Sequence, residues 1–240
     1  MNKLKIVIIV VVSLQMLGAA TYFFAVPLTE DGRIKNEAAG TSLLKLHEQY
    51  PDVIGWIQVE GTNINYPVAK GETYLYQNYK GKHDKSGTPF VEDEWTEGDR
   101  MTLIYAHNMW MYKTMFNGLH EFKKEAFFQE GKKIAFYVVC DTEDDSFVEK
   151  RLFRASHCIL TDISEWNFDA GQYVCEDEEL EEFLAECDRR SLFGTDAEAE
   201  SQYNIMLATC SYHIGGKNGR IVVVGKLISI KQQNYIDKDY

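Results

Sequence analysis

The chain has 240 residues, of which 45% are hydrophobic and 13% aromatic, so it can bury a sizeable core in one or two domains. Its formal net charge is −12 at pH 7. Because binding to a phosphate backbone requires clustered positive charge, this composition argues against a nucleic-acid partner.

The N-terminus carries a long apolar segment. Residues 1–5 contain two lysines, and residues 6–26 contain no charged side chain. A helix of about 20 apolar residues spans a bilayer, and lysines that precede it favour a cytoplasmic N-terminus. We therefore predict a cytoplasmic segment (1–5), a single-pass anchor in the cell membrane (6–26) and an extracellular remainder. A cleaved signal peptide is the alternative, because the small residues of "LGAA" resemble a cleavage site.

Residues 27–50 are predicted to be a linker followed by a helix. Within residues 33–50, apolar or half-apolar side chains recur at the spacing of one helix face. These residues are Leu43, Leu46, His47 and Tyr50. The helix would connect the anchor to a catalytic domain at residues 51–240.

From residue 51 onward the apolar pattern is mainly that of β-strands. The strand-like runs are GWIQVEGTNINYPVAK, MTLIYAHNM, KKIAFYVVC, RLFRASHCIL, YNIMLATC and GRIVVVGKLISI. Helical patterns interrupt them at residues 116–129 and 177–192, and the second has acidic residues early and arginines late, as the helix dipole favours. Many strands with few helices and no alternating βα order predict a mainly β fold with inserted helices, built as a closed barrel.

The five cysteines differ in their surroundings. Cys140 and Cys158 lie in apolar strand runs and Cys187 lies on the apolar face of a helix, so we expect all three to be buried and reduced. Cys175 has polar neighbours and is expected to be accessible. No C-x-x-C spacing supports a zinc or redox site. Cys210 ends an apolar strand and is followed by a polar loop, which makes it the candidate nucleophile.

A cysteine nucleophile requires a nearby base, because an ordinary thiol is only a few per cent thiolate at neutral pH. Among the six histidines, His107 follows the strand run TLIYA as Cys210 follows its own strand. His213 is the rival because it lies close to Cys210 in the chain. The residues alone leave this choice open. His47 belongs to the predicted N-terminal helix and His83 to a polar loop, and His120 and His157 are interpreted as structural.

Arg220 opens the strand that follows Cys210. Its guanidinium remains charged at any working pH and offers a fork of donors. If the two strands are neighbours, this group can stabilise a substrate carbonyl oxygen as negative charge develops on it. The alternative is a salt bridge at the entrance of the strand.

Three blocks of this sequence, YAHNM, LATC and GRIVVVGKL, resemble the signatures of sortases, the membrane-anchored cysteine transpeptidases of Gram-positive bacteria. The family pattern is a histidine after an apolar strand, a TLxTC-like strand end and an arginine opening the next strand. These positions fall on His107, Cys210 and Arg220. One departure is Met206, where the family often has threonine. The anchor, the segment DVIGWIQVEGTNINYPV and the helix before the cysteine strand resemble class B.

This resemblance implies a closed eight-stranded β-barrel with an N-terminal helical segment and an extra helix between the sixth and seventh barrel strands. It implies cleavage of a C-terminal sorting signal on secreted proteins through a thioacyl-enzyme on Cys210. An amine of the peptidoglycan cross-bridge or of its lipid-linked precursor then takes the acyl group. His107 would be the general acid and base and Arg220 the oxyanion clamp. No metal or organic cofactor is implied.

Four further residues are expected, from their positions, to line the groove for the sorting signal: Asn65, Tyr105, Thr209 and Ser211. The signal can be of the NPxTx, SPxTG or LPxTG type. Three alternatives remain open. They are a cysteine hydrolase with the same chemistry, a pilus-type sortase that joins protein subunits, and a non-catalytic binding domain that keeps the barrel.

Overall fold

The computed structural model describes residues 36–143, 145–174, 176–194, 203–212 and 216–233. The strands are β1 Val53–Val59, β2 Asn65–Lys70, β3 Phe90–Val91, β4 Met101–Tyr105, β5 Asn108–Met109, β6 Thr114–Met115, β7 Lys133–Asp141, β8 Ser146–Asp162, β9 Asn204–Cys210 and β10 Gly219–Gln233. The α-helices are α1 Asn36–Gln49, α2 Glu125–Gln129 and α3 Asp177–Arg190. The 3₁₀ helices are Glu72–Tyr76, Phe116–Lys123, Phe168–Tyr173 and Gly216–Asn218.

Eight strands close into a barrel in the order β1-β2-β3-β4-β9-β10-β8-β7. Closure pairs each of these eight strands on both sides, so the barrel itself has no open edge. β5 and β6 form a separate two-stranded hairpin. The predicted mainly β, closed eight-stranded barrel is confirmed. α3 is the predicted extra helix, because it lies between β8 and β9, the sixth and seventh strands of the barrel.

Side chains alternate between the two faces of the barrel wall, as the period of a strand requires. Inside the barrel, Ile104, Leu207 and Ile221 belong to the main hydrophobic core. Outside, Met206 and Val222 pack with the 3₁₀ helix Phe168–Tyr173 and α3 in a second cluster. This alternation sets which residues at the strand ends share a face.

Helices form where they were predicted, but their boundaries and, in one case, the helix type differ from the prediction. The helix expected at 116–129 is two elements, because the backbone of Lys124 is extended (φ −88°, ψ 115°) and interrupts the helix. The buried side chains of Phe116, Leu119 and Phe122 recur every three residues, which suits a 3₁₀ helix and directs them into the barrel end. α3 ends at Arg190 rather than at residue 192.

α1 packs on the outside of the barrel near β1 and β7. Leu43 is buried there with Val53 and Tyr137. In the part of the chain that the structure describes, no helix is long and apolar enough to cross a membrane. The predicted anchor at 6–26 lies outside the described residues, as do Cys175 and His213.

Candidate active site

The three predicted catalytic residues lie at the same end of three neighbouring strands. β9 pairs with β10 so that Cys210 stands opposite Arg220. β9 also pairs in parallel with β4, where Tyr105 stands beside Ala208. Extending this register by two residues brings His107 beside Cys210. Neighbouring strands are about 4.8 Å apart, so the three residues form a row across the barrel wall.

The row faces the outside of the barrel. Ala208 and Val222 point into the outer cluster beneath α3. Cys210 is two residues after Ala208 and Arg220 is two residues before Val222, so both share that face. The cysteine therefore lies at the rim of the wall, where it is half-buried. A substrate can reach it there without entering the barrel.

The backbone around His107 is tied to the cysteine strand and to the barrel cap. The N–H of Ala106 donates to the carbonyl of Ala208 at 3.3 Å. The hydroxyl of Thr209 donates to the carbonyl of Ala106 at 2.7 Å. The carbonyl of His107 accepts from the N–H of Phe116 at 3.0 Å. Because of these bonds, the segment Ala106–His107 continues alongside β9 after β4 has ended at Tyr105.

The imidazole of His107 is oriented by the 3₁₀ helix Glu72–Tyr76. It hydrogen-bonds the backbone carbonyl of Leu75, and its ring centre lies 5.4 Å from that of Tyr76. Nε2 is buried and has no partner in the described part of the chain, so Nδ1 carries the proton donated to Leu75. Burial lowers the pKa of His107, against the opposing effect of that hydrogen bond. The resting ring is therefore neutral at pH 7, with its Nε2 lone pair available.

An amide network that the sequence reasoning missed lies beside the nucleophile. Nδ2 of Asn108 donates to the carbonyl of Cys210 at 2.9 Å and to Nε2 of His120 at 2.8 Å. Its Oδ1 accepts from Nδ2 of Asn117 at 2.8 Å. His120 was interpreted as structural, and it does belong to this supporting network. The position of Asn108, next to His107, was the one sequence signal for it.

Arg220 forms hydrogen bonds rather than ion pairs. Its Nη1 donates to the carbonyls of Lys217 and Gly219, both at 3.0 Å. Among the described residues, no carboxylate lies within ion-pair distance of its guanidinium. The pKa of Asp162 is lowered mainly by hydrogen bonds from Ser164 and only secondarily by Arg220. The salt-bridge alternative thus lacks a described partner.

Two of the predicted groove residues have buried side chains. Thr209 is 3% exposed, and its hydroxyl is bonded to Ala106. Ser211 is fully buried, and its N–H donates to the carbonyl of Gly219 at 2.8 Å. Each lies one residue from Cys210 and therefore points to the opposite face of the wall. Their place in a substrate groove remains a prediction. The hydroxyl of Thr209 makes a structural hydrogen bond, whereas the buried Oγ of Ser211 has no hydrogen-bond partner among the described residues.

The other two predicted groove residues are engaged in local contacts. The hydroxyl of Tyr105 donates to the carboxylate of Asp169 at 2.6 Å, and burial strongly raises the pKa of this phenol. Asn65 lies on β2, two strands away from β4. Its Oδ1 accepts from the side chains of Trp56 at 2.6 Å and Gln58 at 3.0 Å on β1. The structure does not bring Asn65 into the row of His107, Cys210 and Arg220.

The barrel and this row at its rim define a sortase, and comparison with known proteins supports the same class. No protein-family model matches the chain. Sortase B of Staphylococcus aureus is 29% identical over 185 residues, which cover 75% of this chain and 71% of that protein. The crystal structure of sortase B from Clostridium perfringens has 31% identity and a TM-score of 0.67, and the match covers 78% of this chain and 99% of that one. The chain belongs to the class B sortases, which are cysteine transpeptidases.

A further solved structure concerns substrate binding in a relative. The structure of a Staphylococcus aureus sortase B–substrate complex matches with a TM-score of 0.64 and 26% identity. The match covers 80% of this chain and 86% of that chain. A relative with this fold therefore binds a substrate.

Proposed function

We propose that this protein cleaves the C-terminal sorting signal of secreted proteins and transfers the new carboxyl end to an amine of peptidoglycan or of its lipid-linked precursor. The observation that carries this proposal is the row of His107, Cys210 and Arg220 on one face of three adjacent strands. It combines a nucleophile, a neutral base with a free lone pair and a permanent cation.

In the first half-reaction, Nε2 of His107 takes the thiol proton of Cys210 while the sulfur attacks the scissile carbonyl carbon. Negative charge develops on the carbonyl oxygen, and the guanidinium of Arg220 stabilises it. The carbon–nitrogen bond then breaks. The imidazolium returns its proton to the leaving amine, and a thioester remains on Cys210.

In the second half-reaction, the acceptor amine attacks the thioester carbonyl. His107, neutral again, takes the proton that the amine loses, and the thiolate of Cys210 leaves. The imidazolium then returns that proton to the sulfur, so the products are a new amide bond and the free thiol. Since both halves place negative charge on the same oxygen, Arg220 serves both. Organic cofactors and metals have no role in these steps.

The proposed setting is the outer face of the cell membrane. The apolar segment 6–26 would anchor the chain with its N-terminus in the cytoplasm, and this would expose the barrel to secreted proteins and to the cell wall. The substrate complex of a relative supports binding of a sorting-signal peptide. Asn65, Tyr105, Thr209 and Ser211 stay proposed neighbours of the peptide, although the side chains of Thr209 and Ser211 are buried on the face opposite to Cys210.

The test is cleavage of sorting-signal peptides of the NPxTx, SPxTG and LPxTG types, each with and without an added amine. A transpeptidase yields the peptide–amine adduct, and a hydrolase yields only the free acid with or without amine. Cys210→Ala is the control and should yield neither product. If wild-type enzyme cleaves but forms no adduct at any amine concentration, the chain is a hydrolase and this proposal is wrong.

A further inference from the structure

A cavity of about 590 Å³ opens beside the proposed nucleophile. Its walls are Asn108, Trp110, Asn117, His120, Lys123 and Tyr212. Asn108 directly follows His107, and Tyr212 comes two residues after Cys210. Asn108 also donates a hydrogen bond to the carbonyl of Cys210 at 2.9 Å, so this wall of the cavity contacts the backbone of the nucleophile. The cavity is therefore adjacent to the site of acyl transfer.

Among the described residues that line the cavity, one is a lysine, Lys123, at the end of the 3₁₀ helix Phe116–Lys123. The adjacent Lys124 forms an ion pair with Glu121 at 2.6 Å. Lys123 has no ion-pair partner among the described residues. Burial lowers its pKa, and the titratable group that acts on it is Cys158. Burial raises the pKa of that thiol to about 12, so it is uncharged at neutral pH and cannot neutralise Lys123.

The other described lining residues carry no permanent charge. Nδ2 of Asn108 donates to His120 Nε2, so that nitrogen accepts and the His120 ring carries its proton on Nδ1. Asn117 is an amide. The aromatic rings of Trp110 and Tyr212 are 64% and 61% exposed and form an apolar rim. The described walls of the cavity thus present one lysine ammonium, hydrogen-bonding side chains and aromatic surface.

We propose that this cavity holds the incoming amine acceptor and that Lys123 binds a carboxylate carried by that acceptor. The inference rests on the proposed function and specifies the acceptor class for it. The chain as a whole has a net charge of −12 and disfavours anions. A local, unpaired ammonium reverses this preference within the cavity, and the aromatic rim covers the acceptor's aliphatic part. The amine nitrogen then bonds to the thioester carbon, the carbon–sulfur bond breaks, and His107 takes the amine proton.

The test uses two pairs of acceptors, each differing only in a free carboxylate. Glycine is compared with glycinamide, and Nα-acetyl-lysine with Nα-acetyl-lysine amide. The measured quantity is kcat/KM for the amine in adduct formation by the full chain, and the ratio is taken within each pair. Comparing that ratio between variants cancels differences in amine basicity. Lys123→Met keeps the aliphatic stem and removes the charge, and Lys124→Met is the matched control.

We expect wild type to favour the carboxylate form in at least one pair. Lys123→Met should reduce that ratio about tenfold, the loss expected for one charge-assisted hydrogen bond. Thioester formation should be unchanged, Lys124→Met should behave as wild type, and Lys123→Arg should retain the preference. An unchanged ratio in Lys123→Met, or no preference in either pair, would overturn the inference and leave the transpeptidase intact. Cleavage without any adduct would overturn the proposed function and this inference with it.

Discussion

Compared with the other histidines near the barrel, His107 leaves a different ring nitrogen free. Both nitrogens of His157 are bonded, to Ser156 and Asp188. Nε2 of His120 is occupied by Asn108. Nε2 of His107 has no partner in the described ranges, while its other nitrogen is held by Leu75. A ring that is oriented on one side and free on the other is suited to moving protons at a fixed point.

Replacing His107 should therefore reduce turnover far more than replacing its rival. We expect His107→Ala to lower the rate of thioester formation by two to four orders of magnitude, the usual range for a general acid–base. His213→Ala, outside the described residues, should change it only a few-fold. Rapid-quench measurement of thioester formation compares the two variants. The opposite order would place the base in the loop after Cys210.

Arg220→Lys distinguishes an oxyanion clamp from a simple positive charge. Lysine keeps the charge but lacks the planar fork of donors. We expect thioester formation to slow at least a hundredfold, about 3 kcal/mol in the transition state. The melting temperature should barely change, since the described partners of Arg220 are backbone carbonyls. Near-normal thioester formation by the lysine variant would reduce Arg220 to a structural charge.

The 3₁₀ helix Glu72–Tyr76 orients the imidazole of His107 through the carbonyl of Leu75. The loop at Gly87 passes closely beside that carbonyl. Gly87 has φ +65°, and a Cβ there would lie 2.4 Å from the carbonyl oxygen of Leu75, the group that holds the imidazole. Gly81 has a similar φ of +73° with nothing within 4 Å. Both glycines have a left-handed backbone, but only at Gly87 would an added Cβ also collide with neighbouring atoms.

We accordingly expect Gly87→Ala to lower both stability and activity and Gly81→Ala to lower stability alone. The left-handed backbone should cost each variant about 1–2 kcal/mol. Gly87→Ala should lose more than that and should also slow thioester formation, because Leu75 must move. Urea unfolding and thioester formation of both variants are the measurements. Equal activity in the two would mean that Leu75 does not control His107.

α3 is attached to β8 through a buried histidine. Nε2 of His157 lies 2.8 Å from Oδ1 of Asp188 on the helix, and the ring is almost completely buried. Burial lowers the pKa of His157 and outweighs Asp188, which acts to raise it. The folded protein thus prefers the neutral ring. The stability that this provides is fully present above the unfolded pKa of about 6.5 and is lost as the pH falls below it.

The free energy of unfolding should therefore decrease between pH 7.5 and pH 5, with His107 contributing in the same direction. In His157→Gln this decrease should be shallower, because one of the buried titrating groups is gone. His83→Gln, at an exposed loop position, should keep the wild-type slope. Urea unfolding at several pH values gives the slopes. Parallel curves for wild type and His157→Gln would contradict the assignment.

For the whole molecule, local pattern predicted the strands well and their pairing only in part. Cys210 and Arg220 end and open consecutive strands joined by a short loop, and such strands usually pair. The position of His107 depends instead on parallel pairing of β4 with β9, which are far apart in the chain. Asn108 meets the Cys210 carbonyl across 102 residues. No local period encodes that contact.

Some of what the sequence reasoning missed was accessible in principle. Alternation alone places Thr209 and Ser211 on the face opposite to Cys210, so their burial follows from the strand period. β3 and the β5–β6 hairpin have strands of only two residues each, too short for any period to appear. The contact between Leu75 and His107 joins a loop helix to a strand end, and only the closed barrel brings them together.

In the proposed reaction, Cys210 carries the acyl group between donor and acceptor. The most direct test is the intact mass of the full chain after brief mixing with a sorting-signal peptide, without amine, and quenching in acid. We predict an increase equal to the N-terminal part of the peptide, located at Cys210 by digestion and lost when an amine is added. The increase should be absent in Cys210→Ala. A mass increase at another cysteine, or substantial peptide cleavage by Cys210→Ala, would exclude Cys210 as the acyl carrier.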